Sequence, residues 1–165
     1  MSKLLQIRPE APTDFLAIAE VIRLSFDQTD GSEVDLVVDW RLSSDYIPEL
    51  SLVALLEDKI IGYAMFHFVT LEGELSRRVV DLGPVGVLPE FQRQGVGSAL
   101  IRRGLASCVD RDEPLVMCLG HESYYPRFGF LPSRIYGILP SWDAMLVYPI
   151  QKDLERFMGL NYPQE

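Results

Sequence analysis

Apolar residues fall at Phe15, Ile18, Ala19, Ile22 and Phe26, spacings of three and four that form one stripe of an amphipathic helix. Pro12, Thr13 and Asp14 stand just ahead and supply the punctuation that starts helices. Upstream, KLLQIR reads as a short strand ended by Pro9. A second, weaker helix is read over 32–44, with Leu36 and Trp40 on one side. SLVALLE and KIIGYAMFHFVT are rich in strand formers and predict a hairpin turning at Asp58 and Lys59. TLEGELSR is polar, contains Gly73 and reads as a loop or a further hairpin.

RVVDLGPVGVL reads as the next strand. The helix after it, over 95–109, carries Gly97, Leu100, Ile101, Gly104, Leu105 and Cys108 on one stripe. PLVMCLG is a buried strand, SYYPRFGF a short helical turn running into Gly129, and AMLVYPI a last strand left with an unpaired edge. Residues 151–165 read as a polar tail with room for one helical turn and no chemistry. Strands and helices alternate at both ends around an antiparallel meander. That order implies an α/β (α+β) class, a mixed sheet with helices on both faces, in one domain over 1–165.

The composition, 48% hydrophobic and 24% charged, is that of a soluble globular chain. A net charge of −9 argues against nucleic acid, whose phosphates need a basic face, and leaves room for a cationic ligand. In FDQTDGSEVDLVVDW, Asp27, Asp30, Glu33, Asp35 and Asp39 occur with no Lys or Arg among them. They read either as a solvated helix face or as an electrostatic lure for an amine. Cys108 and Cys118 form no C-x-x-C pair and no ligand cluster with His67 and His121, so no metal is expected and a reduced cytoplasmic compartment is the default. The N-terminal apolar run is too short for a secretory signal, and no segment reaches the length of a membrane span.

The stretch LGPVGVLPEFQRQGVGSALIRRGL, Leu82 to Leu105, carries the candidate chemistry. Pro84 cannot donate to a sheet ladder and glycine weakens pairing, so this strand bulges or leaves backbone groups for a ligand. Gly95 and Gly97 open a helix whose first-turn amides and positive dipole end suit a phosphate. Taken alone, Q-R-Q-G-V-G is also an ordinary strand-to-helix turn. It is neither a Walker loop nor the dinucleotide fingerprint, which needs a third glycine where Leu100 stands.

VGVLPEFQRQGVGSALI resembles the signature of the GNAT N-acetyltransferase superfamily, with Gln92, Gly95 and Gly97 at its fixed positions and Val87 and Pro89 ahead of them. SYYPRFGF resembles the tyrosine-to-GF segment of the same superfamily, with Tyr125 four residues before the glycine. The resemblance implies a mostly antiparallel central sheet with splayed middle strands. It also implies acetyl-CoA as cosubstrate: Val85, Gly86 and Val87 at the pantetheine arm, and Arg93, Gln94, Gly95, Val96, Gly97 and Ser98 at the pyrophosphate. Arg102 and Arg103 either meet outer phosphates or are simply solvated.

The reaction implied is direct attack by a primary amine of a small molecule or peptide on the thioester, with Tyr125 as general acid and Tyr124 the neighbour open to confusion with it. For the base, Asp81, Glu122, His67 and water stay open. The other reading on the same fold is an acyl-CoA-sensing or protein-binding module without transfer. A homodimer through the last strand is left open.

Overall fold

The computed structural model describes residues 4–26 and 32–163. Seven strands, β1 (Leu5–Pro9), β2 (Ser51–Leu56), β3 (Lys59–Leu71), β4 (Arg77–Val87), β5 (Leu115–Leu119), β6 (Leu131–Pro132) and β7 (Met145–Pro149), hydrogen-bond in the order β1-β2-β3-β4-β5-β7-β6. The helices are α1 (Phe15–Ser25), α2 (Ser32–Arg41) and α3 (Val96–Asp110). The parallel pair β4/β5 sits in an otherwise mostly antiparallel sheet. The chain forms two compact units, Met1–His67 with Gly83–Gly104 and Phe68–Leu82 with Leu105–Glu165, so β3 and β4 each run through both.

In the first unit, alternation along β3 places helices on both faces. Gly62 lies under α3, where a β-carbon would come within 2.9 Å of Val96 and 3.1 Å of Leu100. Phe66, on the same side, presses its ring into the space left by Gly104. Tyr63 points the other way, to Glu10 and the end of α2. The Glu10 side chain, 1% exposed, accepts from Arg41 Nε (2.8 Å) and Nη2 (2.9 Å), Tyr46 Oη (2.9 Å), Ser51 Oγ (2.6 Å) and Tyr63 Oη (3.0 Å). With so many donors on one carboxylate, its burial is compensated and α2 is fixed to β2 and β3.

Several boundaries differ from the sequence reading. α2 ends at Arg41, and its inward residue is Val37 rather than Leu36, while Trp40 stacks on His67 at 3.9 Å. The hairpin turns at Glu57 and Asp58, with φ of +49° and +66°, not at Asp58 and Lys59. Asp27 and Asp30 of the acidic stretch lie outside the described residues; Asp35 and Asp39 are exposed on α2.

The second unit holds the larger corrections. The last strand, β7, is not an unpaired edge: it pairs with β5 on one side and with β6 on the other. β6 has two residues, too few to show alternation. The polar tail is not inert either, since Leu154, Phe157 and Leu160 are buried in a cluster with Leu71, Val79 and Met117. Backbone bonds pin it further: Leu139 N to Leu160 O (2.8 Å), Tyr162 N to Leu139 O (2.7 Å), and Asn161 and Glu72 reciprocally (2.8 and 2.7 Å).

Candidate active site

The cosubstrate segments expected from sequence lie in the first unit. β4 does not break as the sequence suggested but runs on through Gly83, where φ is +154° and the peptide to Pro84 is cis, while its ladder with β5 spans Val80–Leu82. Leu88 N donates to Ile61 O (2.9 Å), so by the two-residue period the backbone groups of Gly86 also face β3. Those of Val85 and Val87 leave the other edge. Val87 O is already taken by Ser25 Oγ (2.8 Å) and Gln92 Nε2 (3.0 Å), which fills both lone pairs and leaves its N–H as its contribution to a ligand. Gly86 has a separate reason to be glycine: a β-carbon there would meet Ser25 Oγ at 2.8 Å, so its bareness lets the end of α1 approach.

After Val87 the chain turns through a short 3-10 segment, Pro89–Phe91, into the exposed residues Arg93, Gln94 and Gly95. Arg93 has φ +62° and Gly95 φ +87°. Apart from its two chain neighbours, no described residue comes within 4 Å of the place a Gly95 β-carbon would occupy. The first intrahelical bond of α3 is Ala99 N to Gly95 O (3.0 Å), so the amides of Val96, Gly97 and Ser98 precede it in the first turn. These amides and the open space at Gly95 have the chemistry that suits an anion such as a pyrophosphate.

Groups suited to proton transfer lie in the second unit. The Tyr125–Phe128 turn, closed by Gly129 at φ +105°, carries Tyr125 over Gly120, where a β-carbon would stand 2.4 Å from the ring. Phe130 meets that ring edge-on at 5.7 Å. Tyr125 shares a hydrogen bond with the buried Cys118 thiol; burial and then the thiol raise its pKa above the ordinary phenol value, so it stays protonated. Tyr124 is engaged differently, under the Arg127 guanidinium at 4.3 Å. Burial also pushes the Cys118 thiol up, with Asp81 adding to the shift.

Asp81 is 5% exposed on β4, and its residue pairs with Met117 while Leu82 pairs with Cys118. Burial raises its carboxyl to about 7, opposed by a hydrogen bond that Tyr162 Oη donates to Oδ2 at 2.7 Å. Of the other candidate bases, Glu122 is exposed, and His67 is buried beneath Trp40 in the first unit. The sequence reading missed Tyr162 altogether. Its bond to Asp81 spans 81 residues and leaves no local pattern to find.

A mixed, mostly antiparallel sheet with a glycine-led helix after a strand paired in parallel with its neighbour is the architecture of acyl-CoA-dependent acetyltransferases. The family model described as Acetyltransferase (GNAT) family matches residues 16–130, and the chain belongs to that family. It is 34% identical to the N-acetyltransferase YhbS of Escherichia coli K12 over 139 residues, 84% of this chain and 80% of that one. With the N-acetyltransferase YjhQ of the same organism it shares 40% over 101 residues, 61% of this chain and 56% of that one. The crystal structure of Escherichia coli YhbS in complex with CoA superposes with a TM-score of 0.87 at 28% identity, covering 99% of this chain and 92% of that one. A GNAT acetyltransferase from Brucella melitensis in complex with acetyl-CoA gives 0.77 at 28% identity, covering 92% of each chain. Among the described residues no helix is long and apolar enough to cross a membrane.

Proposed function

We propose that this protein transfers the acetyl group of acetyl-CoA to a primary amine of a small molecule or peptide. The observation that carries the reading is the bare, left-handed Gly95 ahead of the α3 amides, a cradle kept in a chain of this family. Arg93 through Ser98 hold the pyrophosphate, and the backbone groups of Val85 and the Val87 N–H, on the edge of β4 away from β3, line the pantetheine arm; Gly86, turned to β3, makes room for Ser25 instead. Acetyl-CoA supplies the thioester carbonyl that the amine attacks, and CoA departs as the thiol.

The protein's own groups move the protons. Asp81, poised near neutrality, takes the proton that the amine loses as its nitrogen bonds to the carbonyl carbon. As the C–S bond breaks its electron pair stays on sulfur, and Tyr125 delivers the phenolic proton there. Asp81 and Tyr125 then exchange the proton back through solvent, so the turnover balances. Tyr125 is assigned as the acid over Tyr124 because its hydroxyl bonds Cys118, on the strand paired with Asp81's own.

Thermal melts with acetyl-CoA and an amine panel assayed for free thiol test the reading. Excess acetyl-CoA raises Tm by mass action, whereas ATP does not, and at least one amine yields thiol at a rate that collapses in Tyr125→Phe. A flat melt in excess acetyl-CoA refutes cosubstrate binding. Stabilisation with no thiol from any amine indicates instead an acyl-CoA-sensing module.

A further inference from the structure

Asp81 stands among Val79, Val80 and Leu82, where an apolar residue would pack without the cost of burying a carboxyl. The group that stabilises its charge comes from the far end of the chain. Tyr162 Oη donates to Asp81 Oδ2 at 2.7 Å, and Tyr162 itself is held before the bond is made. Its own N–H is bonded to Leu139 O, Asn161 is bonded both ways to Glu72, and Leu160 is buried. A phenol has only two side-chain torsions, so pinning the backbone at 160–162 leaves a donor in place with little entropy left to lose. A strap that merely covers the core needs Leu154, Phe157 and Leu160 but not a hydroxyl aimed at a carboxylate.

We propose that Tyr162 is a positioning residue: its hydroxyl fixes the orientation of the Asp81 carboxylate and favours its ionised form, making the C-terminal strap part of the proton-accepting machinery. The role rests on the reading of Asp81 as the base of acetyl transfer. Within the same unit, titratable groups coupled to Asp81 include Tyr162, Cys118 on β5, and Tyr125 through that thiol. Burial holds the Cys118 and Tyr125 protons on, so neither changes charge in the range where Asp81 titrates.

The test is Tyr162→Phe in the full chain, read in two ways. The Asp81 carboxyl is followed by 13C NMR of aspartate-labelled protein, assigned with Asp81→Asn, and kcat and KM are followed from pH 6 to 9 with an amine that yields thiol. Loss of a donor to the ionised form raises the carboxyl midpoint by about one unit, as expected for one hydrogen bond to a charged group. The ascending limb of kcat moves up with it, so kcat at pH 7 falls about fivefold, KM for acetyl-CoA stays within about twofold, and the deficit shrinks towards pH 9.

Phe157→Leu, which loosens the strap without touching the bond, lowers Tm but leaves the Asp81 midpoint and the shape of the profile alone. A Tyr162→Phe protein that behaves like Phe157→Leu overturns the proposal, whether or not the protein acetylates anything. So does a shifted midpoint with kcat unchanged. A shifted midpoint in a protein that releases thiol with no amine shows that the transfer reading has failed, and the catalytic role of Tyr162 with it.

Discussion

Asp81 sets a pH dependence of stability whose sign follows from its environment. Its carboxyl titrates at about 7 in the folded protein because burial opposes the charged form, while an unfolded chain ionises it near the ordinary value of about 3.9. A raised acid pKa favours the folded state fully below the unfolded value, and that contribution is lost as pH rises from about 4 through 7. Three units correspond to a loss on the order of 4 kcal/mol at most by pH 8. Asp81→Asn keeps an oxygen for Tyr162 and removes the ionisation. Urea melts should therefore show the variant more stable than wild type by a few kcal/mol at pH 8 and by much less at pH 4. An equal change at both pH values would show that folding leaves the Asp81 pKa where it is in the unfolded chain. Activity should be lost in the same variant, the combination expected where a destabilising residue serves chemistry. At this scale Tyr125 and Gly95 stand out in sequence because each belongs to a short motif, whereas Asp81 is only one candidate base beside Glu122, His67 and water. Tyr162 does not stand out, because its partner lies 81 positions away.

Among the elements, α3 and β3 are joined by a fit that leaves no slack. The Phe66 ring lies where a β-carbon at Gly104 would fall, 1.9 Å from the nearest ring atom, and Phe66 is fully buried on a central strand. Gly104→Ala must push the helix off the sheet or the ring off its rotamer, an overpacking cost of about 1–3 kcal/mol, and Tm should fall accordingly. Phe66→Leu on that background should recover part of the loss, a coupling that a double-mutant cycle measures. Additive effects would mean that the helix and ring do not compete for this space. The stripe of α3 and the alternation of β3 are readable in sequence because each element is long enough to repeat its period. That Gly104 is there for Phe66, and Gly86 for Ser25, depends on which elements meet, and neither period carries that information. The two-residue β6 is too short to show a period, so the sequence leaves the last strand with an open edge where β7 is in fact paired on both sides.

For the whole molecule, the residues after Lys152 are where the sequence misleads most. DLERFMGLNYP presents as charged and polar, yet Leu154, Phe157 and Leu160 recur every three residues and all three are buried. A single 3-10 turn, Glu155–Phe157, is too short for that spacing to stand out from chance, and the bonds from Leu139 and Glu72 that fix the segment are invisible in composition. Deleting everything from Leu154 onward would expose Val79, Met117 and Val147, which these side chains cover. Each fully buried side chain of this size contributes about 1.5–3 kcal/mol, so the three together supply about 5–9 kcal/mol. Net stability for a domain is about 5–15 kcal/mol, so the loss is comparable to the whole. The truncated chain should therefore show no cooperative thermal transition and a collapsed amide NMR spectrum, and acetyl-CoA should not restore it, since linkage can add only a few kcal/mol at accessible concentrations. A truncated protein that melts cooperatively within a few degrees of wild type would show that the second unit closes its core without the strap, and Tyr162 would then be attached to the fold rather than built into it.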